Sequence, residues 1–114
     1  MAAGKYNITI EQGATFSLQF TVKTGSTPWN LTGYSARMQV RTNVNASDTL
    51  VSLTSGAGIT LGGALGTVTI TIPATDTDNI IAGRHVYDFE LQSAGGEVWR
   101  VLEGKCTVKP EVTR

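Results

Sequence analysis

The sequence predicts an all-β protein: a single-domain antiparallel β-sandwich, immunoglobulin-like or jelly-roll-like, of about eight strands. Three observations predict it. Apolar and polar residues alternate with period two along most of the chain, as in Phe16, Ser17, Leu18, Gln19 and Phe20. The apolar positions favour β-branched residues: Val68, Ile70 and Ile72 interleave with Thr67, Thr69 and Thr71. Clusters of Gly, Asn, Asp, Ser and Pro punctuate the runs at short intervals.

Taken in order, Tyr6, Ile8 and Ile10 predict a short first strand, and Gly13 suits a tight connection to the next. Phe16, Leu18, Phe20 and Val22 then form one face of a strand whose other face is polar. "TGSTPWNLTG" (24–33) reads as a loop in which Trp29 and Leu31 fold back over an open end of the core. Ala36, Met38 and Val40 alternate with Ser35, Arg37, Gln39 and Arg41 in the following strand. "TLVSLT" (49–54), "ITL" (59–61) and "TVTITIP" (67–73) follow, with glycine-rich turns around the short middle segment. One short helical turn fits near 75–82, capped by Thr75 or Asp76, with Ile80 and Ile81 pointing inward. Tyr87, Phe89 and Leu91 mark a strand joined by the hairpin "SAGGE" (93–97) to a last strand. That strand carries Trp99 and Val101 on one face, with Gly104 as a bulge or sheet corner, and Pro110 stops it. No linker divides the chain, so residues 1–114 read as one domain, with 1–5 as a candidate flexible N-terminal arm.

Composition narrows the function. Charged residues make up 16% of the 114 residues, below the usual share of about 25%. Net charge is zero and the basic residues are scattered, which argues against nucleic acid as a partner. No run approaches the roughly 18 apolar residues that span a membrane, and "MAAGKYN" (1–7) is not a signal peptide, so synthesis and folding in the cytosol are expected.

Residues able to do chemistry are few. One His and one Cys make a zinc site and an internal disulfide implausible. Asp76, Asp78 and Asn79 lack the later Gly and Glu of a calcium loop and read as caps. His85 is a lone imidazole with no nucleophile elbow in the chain, and reads as a surface or rim residue. Cys106 reads as small buried filler. Asp88 and Glu90 share a strand face, where Arg37, Arg41 or Arg100 can pair with them across strands. "GGALG" (62–66) lacks the Lys of a phosphate loop. No catalytic, cofactor or metal site is therefore expected. Trp29 and Trp99 are candidate interaction residues, with core packing as the competing reading, and support an alternative in which the domain stacks on a glycan.

"IEQGATF" (10–16), "LTGYSARMQVR" (31–41) and "VYDFEL" (86–91), followed by the closing "GKCTVKPEVTR" (104–114), resemble a group of small β-domain proteins of tailed-phage particles. The N-terminal domain of phage baseplate upper proteins is similar, with its Gln-Gly-Asp/Ala-x-Phe strand and its Leu-Thr-Gly-Tyr turn leading into an Arg-bearing strand. The likeness covers nearly the whole chain and brings no catalytic residues. It implies a non-enzymatic structural protein of the virion, made in the cytoplasm of a bacterial host. Such a protein would dock in multiple copies in the tail or baseplate region, with other phage structural proteins and copies of itself as partners. A capsid (head) decoration or cement protein is the alternative. The chain stops at Arg114, which implies the docking or tiling part without a receptor-facing region. Tyr34, Arg37 and Arg41, in the turn and strand that carry the likeness, join Trp29 and Trp99 as candidate interaction residues.

Overall fold

Alternation decides which side of each strand is buried, and the burial follows it closely. The computed structural model describes residues 4–113. Its strands are β1 (Gly4–Lys5), β2 (Ile8–Glu11), β3 (Phe16–Thr21), β4 (Lys23–Thr24), β5 (Thr27–Pro28) and β6 (Ser35–Arg41). They continue with β7 (Val51–Ser55), β8 (Gly58–Leu61), β9 (Thr67–Ile72), β10 (Gly83–Gln92) and β11 (Val98–Lys109). In β6, Ala36, Met38 and Val40 are buried; in β9, Val68, Ile70 and Ile72; in β10, Tyr87, Phe89 and Leu91. These side chains form one continuous core with Ile8, Ile10, Leu31, Ile59, Val101, Cys106 and Val108.

The sheet differs from the expected antiparallel sandwich. Nine strands form one sheet: eight follow the order β1-β11-β10-β6-β7-β8-β9-β3, and β2 pairs with β11 off this path; β4 and β5 make a separate ribbon. The path is mixed: β1 and β2 run parallel to β11, and β7 runs parallel to β8. It curls into a half-barrel, and no break divides it into two sheets. The corner at β7 and β8 explains the curl. Gly56 and Gly58 there have φ values of 86° and 102°, open to glycine but rarely to other residues, so the chain makes a tight sideways jog and β8 resumes in the direction of β7. Past this corner β8, β9 and β3 turn over the core, and the Phe20 ring of β3 meets Phe89 of β10 edge-on, centroids 5.3 Å apart. The alternation therefore placed the faces of β2, β6, β9 and β10, although Tyr6 lies between β1 and β2 and is exposed rather than part of the first strand, while the parallel pairings and the single curled sheet correct the immunoglobulin-like or jelly-roll-like expectation.

Several local expectations are also adjusted. The helical turn α1 covers Ala74–Thr77, with Pro73 rather than Thr75 or Asp76 at its N-cap and no side-chain cap. The Thr77 hydroxyl is buried and donates to the Ala14 carbonyl at 2.8 Å, tying α1 to the β2–β3 connection. Ile80 is buried but Ile81 points outward. "GGALG" contains a 3-10 turn at Gly63–Leu65. Leu31 is buried and Trp29 packs on the core from the loop, as its return over the open end requires. The register shift between β10 and β11 falls at Phe89/Glu90, opposite Val101, so Gly104 is not the bulge. Of the expected N-terminal arm, residues 1–3 lie outside the described residues, and Gly4–Lys5 are strand-paired to Leu102–Glu103.

Candidate functional site

The half-barrel leaves a seam between the two ends of its path. On one lip stands β3, which is paired to β9 along one edge and closes the sheet order with its other edge. On the opposite lip stand β1 and the middle of β11. Between them lies a cleft of about 540 Å³ lined by Leu18, Phe20 and Val22 on one side and Tyr6, Val101 and Leu102 on the other, with Gln19, Thr21, Lys23 and Lys5 also bordering it. Its apolar part on this lip comes from Leu18 and Phe20, which β3 turns toward it, each only half-buried. The outward residues Ser17, Gln19 and Thr21 are exposed and uncharged, so the whole strand carries no charge. Edge strands are usually guarded by Lys, Pro, bulges or inward charges; β3 has none of these guards. Alternation reveals a strand's faces and not its neighbours, so the exposed edge of β3 was not predicted. The missing charge across 16–21 is the sequence signal that could have marked it.

The predicted interaction residues fall into two groups. Trp29, Tyr34 and Trp99 come together at one end of the half-barrel. Trp29 meets Trp99 edge-on at 5.7 Å and Tyr34 at 6.5 Å, and Tyr34 stacks on Trp99 at 6.2 Å with 25° between the rings. The Trp29 indole N–H donates to Thr24 Oγ1 at 2.6 Å. The three rings chiefly cover one another, as rings packed at a core edge do.

Arg37 and Arg41 lie instead on the outer face of β6. Arg37 pairs with Glu90 at 2.7 Å, and Arg100 pairs with Asp88 at 3.4 Å and Glu103 at 3.7 Å. Lys5 closes the row on Glu103 at 3.0 Å. Arg41 does not join these carboxylates; it donates to the Ala46 carbonyl and to Gln39 Oε1. Burial and then the neighbouring Glu90 push the Asp88 carboxyl above its ordinary range, with Arg100 opposing them. Hydrogen bonding and charge from Lys5 hold Glu103 below its ordinary range. The arrangement is a half-wet charge ladder across strands, with each acid beside a cation.

The groups with catalytic potential are placed otherwise. His85 is buried, not on the surface or rim as expected, because β10 aims it inward opposite Cys106. Its Nε2 donates to the Ile81 carbonyl at 2.8 Å, which requires the proton on that nitrogen. Its Nδ1 is the one buried side-chain polar atom without a partner among the described residues. Cys106 is fully buried, and desolvation raises its thiol pKa to about 11. Among the described residues no three His, Cys, Asp or Glu side chains converge as metal ligands. No helix among them is long and apolar enough to cross a membrane. No family model and no curated protein matches the chain.

Proposed function

We propose that this chain is a non-enzymatic structural protein of a tailed-phage particle, docking in multiple copies in the tail or baseplate region to stabilise or adapt it. The observation that carries the reading is the edge of β3, a strand without charge of its own that opens on a cleft whose Leu18, Phe20, Val22 and Leu102 are bordered by Lys5 and Lys23. Such an edge offers main-chain hydrogen bonds and apolar pockets to a neighbouring chain, the means by which strands add to sheets. The residues that carry the resemblance support it from a second direction. "IEQGATF" spans the end of β2, the connection and the first residue of β3, "LTGYSARMQVR" leads into β6, and "VYDFEL" lies in β10, so all three lie in or lead into strands of the half-barrel. With zero net charge, little self-repulsion opposes close packing of many copies.

The test is mass spectrometry of purified particles from cells expressing the chain's source prophage. Its presence in intact virions is expected, and its absence from them refutes the assignment. Copy number separates the tail reading from the alternative of a head decoration protein: hundreds of copies place it on the head. The glycan alternative rests on Trp29 and Trp99, which instead pack against each other and against Tyr34 at the edge of the core.

A further inference from the structure

The edge of β3 is suited to one occupant in particular. Its first five residues, Phe16, Ser17, Leu18, Gln19 and Phe20, read the same in both directions by residue character. Aromatic, polar, Leu, polar and aromatic follow one another about a centre at Leu18. A two-fold axis through Leu18 would set β3 antiparallel to β3 of a second copy. Phe16 would then face Phe20 of the other copy, Leu18 its own equivalent, and Ser17 the other copy's Gln19. Every inward residue meets an inward residue, the condition that a one-residue slip would violate. The same pattern already works on the strand's other side, where Phe16, Leu18 and Phe20 face Ile72, Ile70 and Val68 of β9.

Self-complementarity of this kind is what an isologous two-fold interface requires. No charge on the strand opposes its own copy or would need desolvation. The lip across the seam suits this role less well: β1 is two residues long, and its Lys5 is engaged with Glu103. The cleft of about 540 Å³ separates that lip from β3 and leaves space where an incoming strand would lie. We propose that a second copy of this chain pairs β3 to β3 across the seam, antiparallel and centred on Leu18, making one sheet that runs through both protomers. The proposal rests on the reading of the chain as a structural tile and names the partner of its open edge.

Sedimentation of the full chain from micromolar to submillimolar concentration tests it with two exposed-face variants. Dimer is expected for the wild type. In Ser17→Lys/Gln19→Lys the introduced lysines face each other across the axis, so the monomer is expected, with an unchanged melting temperature at low concentration. In Ser17→Lys/Gln19→Glu each lysine faces a glutamate, so the dimer returns. A wild type that stays monomeric throughout overturns the proposal, while particle composition still decides the virion assignment independently. A dimer unaffected by the paired lysines, or one lost equally in both variants, overturns it as well.

Discussion

The Tyr87 hydroxyl on β10 donates to the Tyr6 carbonyl at 2.6 Å, joining residues 81 apart in sequence. The bond reaches past β11 at Gly104, whose hydrogen leaves room for the Tyr6 carbonyl to approach. The same junction is held by Tyr6 N–H on the Glu103 carbonyl and by Lys105 N–H on Asn7 Oδ1, both at 3.0 Å. The N-terminal strands are thereby clamped onto β11, which fixes one lip of the seam.

Removing that hydroxyl tests the clamp. Tyr87→Phe leaves the ring in the core and a carbonyl short of its donor, a loss of about 1 kcal/mol and about 5 °C in Tm. Thermal unfolding followed by circular dichroism measures it. Burial, with smaller contributions from Cys106 and Tyr6, raises the Tyr87 hydroxyl from 10.0 to about 12. A raised folded-state value means stability is fully present below pH 10 and is lost as pH rises toward 12, because the unfolded phenol ionises first. Ultraviolet titration should show one of the three tyrosines ionising near pH 12, and that step should vanish in the variant.

Gly104 tests the clamp from the other side. A Cβ there would lie 2.3 Å from the Tyr6 carbonyl oxygen and 2.8 Å from its carbon, both backbone atoms that cannot rotate away. Gly104→Ala should cost about 1–3 kcal/mol, as overpacking does, with the loss concentrated in exchange protection of residues 4–11. Amide hydrogen exchange resolves it: uniform protection equal to wild type would contradict the close approach.

How much of this was legible in sequence depends on which interaction decides each feature. Period-two alternation reports burial directly, so the core positions of β6, β9 and β10 could be read from Met38, Ile70 and Phe89. Strand partnership is not local. Nothing near Ile8 or Ile10 says that β2 will run parallel to β11, and the corner at Gly56 and Gly58 reads as an ordinary hairpin turn until its pairing is known. His85 was misplaced for a similar reason: its neighbours Gly83 and Arg84 are polar and turn-like, but the long register of β10 carries it inward against Cys106. The aromatic cluster was half legible. Trp29 and Trp99 were singled out one by one, and their meeting with Tyr34 is set by the loop's return over the core.

The charge ladder should contribute little to stability, and one member should oppose it. Asp88 is raised by burial and by Glu90, so its favourable contribution is present at low pH and lost as pH rises through its folded-state value. Above that value the ionised carboxylate costs stability. Asp88→Asn should therefore melt at or slightly above the wild type at neutral pH, within about 0.5 kcal/mol, and the two should converge in acid. Melting curves across the acid range check it; a variant clearly less stable at pH 7 would mean that the contact with Arg100 outweighs desolvation.

Cys106 offers the sharpest probe of whether the core is closed at the β10–β11 ladder. The side chain is fully buried opposite His85, and desolvation lifts its thiol from 9.0 to about 11. Because the folded value is raised, its contribution to stability is intact below pH 9 and lost as pH climbs to about 11, where the unfolded chain holds a thiolate and the folded one does not. Two outcomes follow from that inequality. A disulfide reagent at mildly alkaline pH should label the native chain only as fast as it opens and should label it at once in denaturant, since the thiolate is the nucleophile. Cys106→Ala should lose stability at neutral pH through the small cavity it leaves, yet its stability should fall less steeply than that of the wild type between pH 9 and 11. Rapid labelling of the native protein would show that solvent reaches the thiol between β10 and β2 without unfolding, and the core would not be closed there.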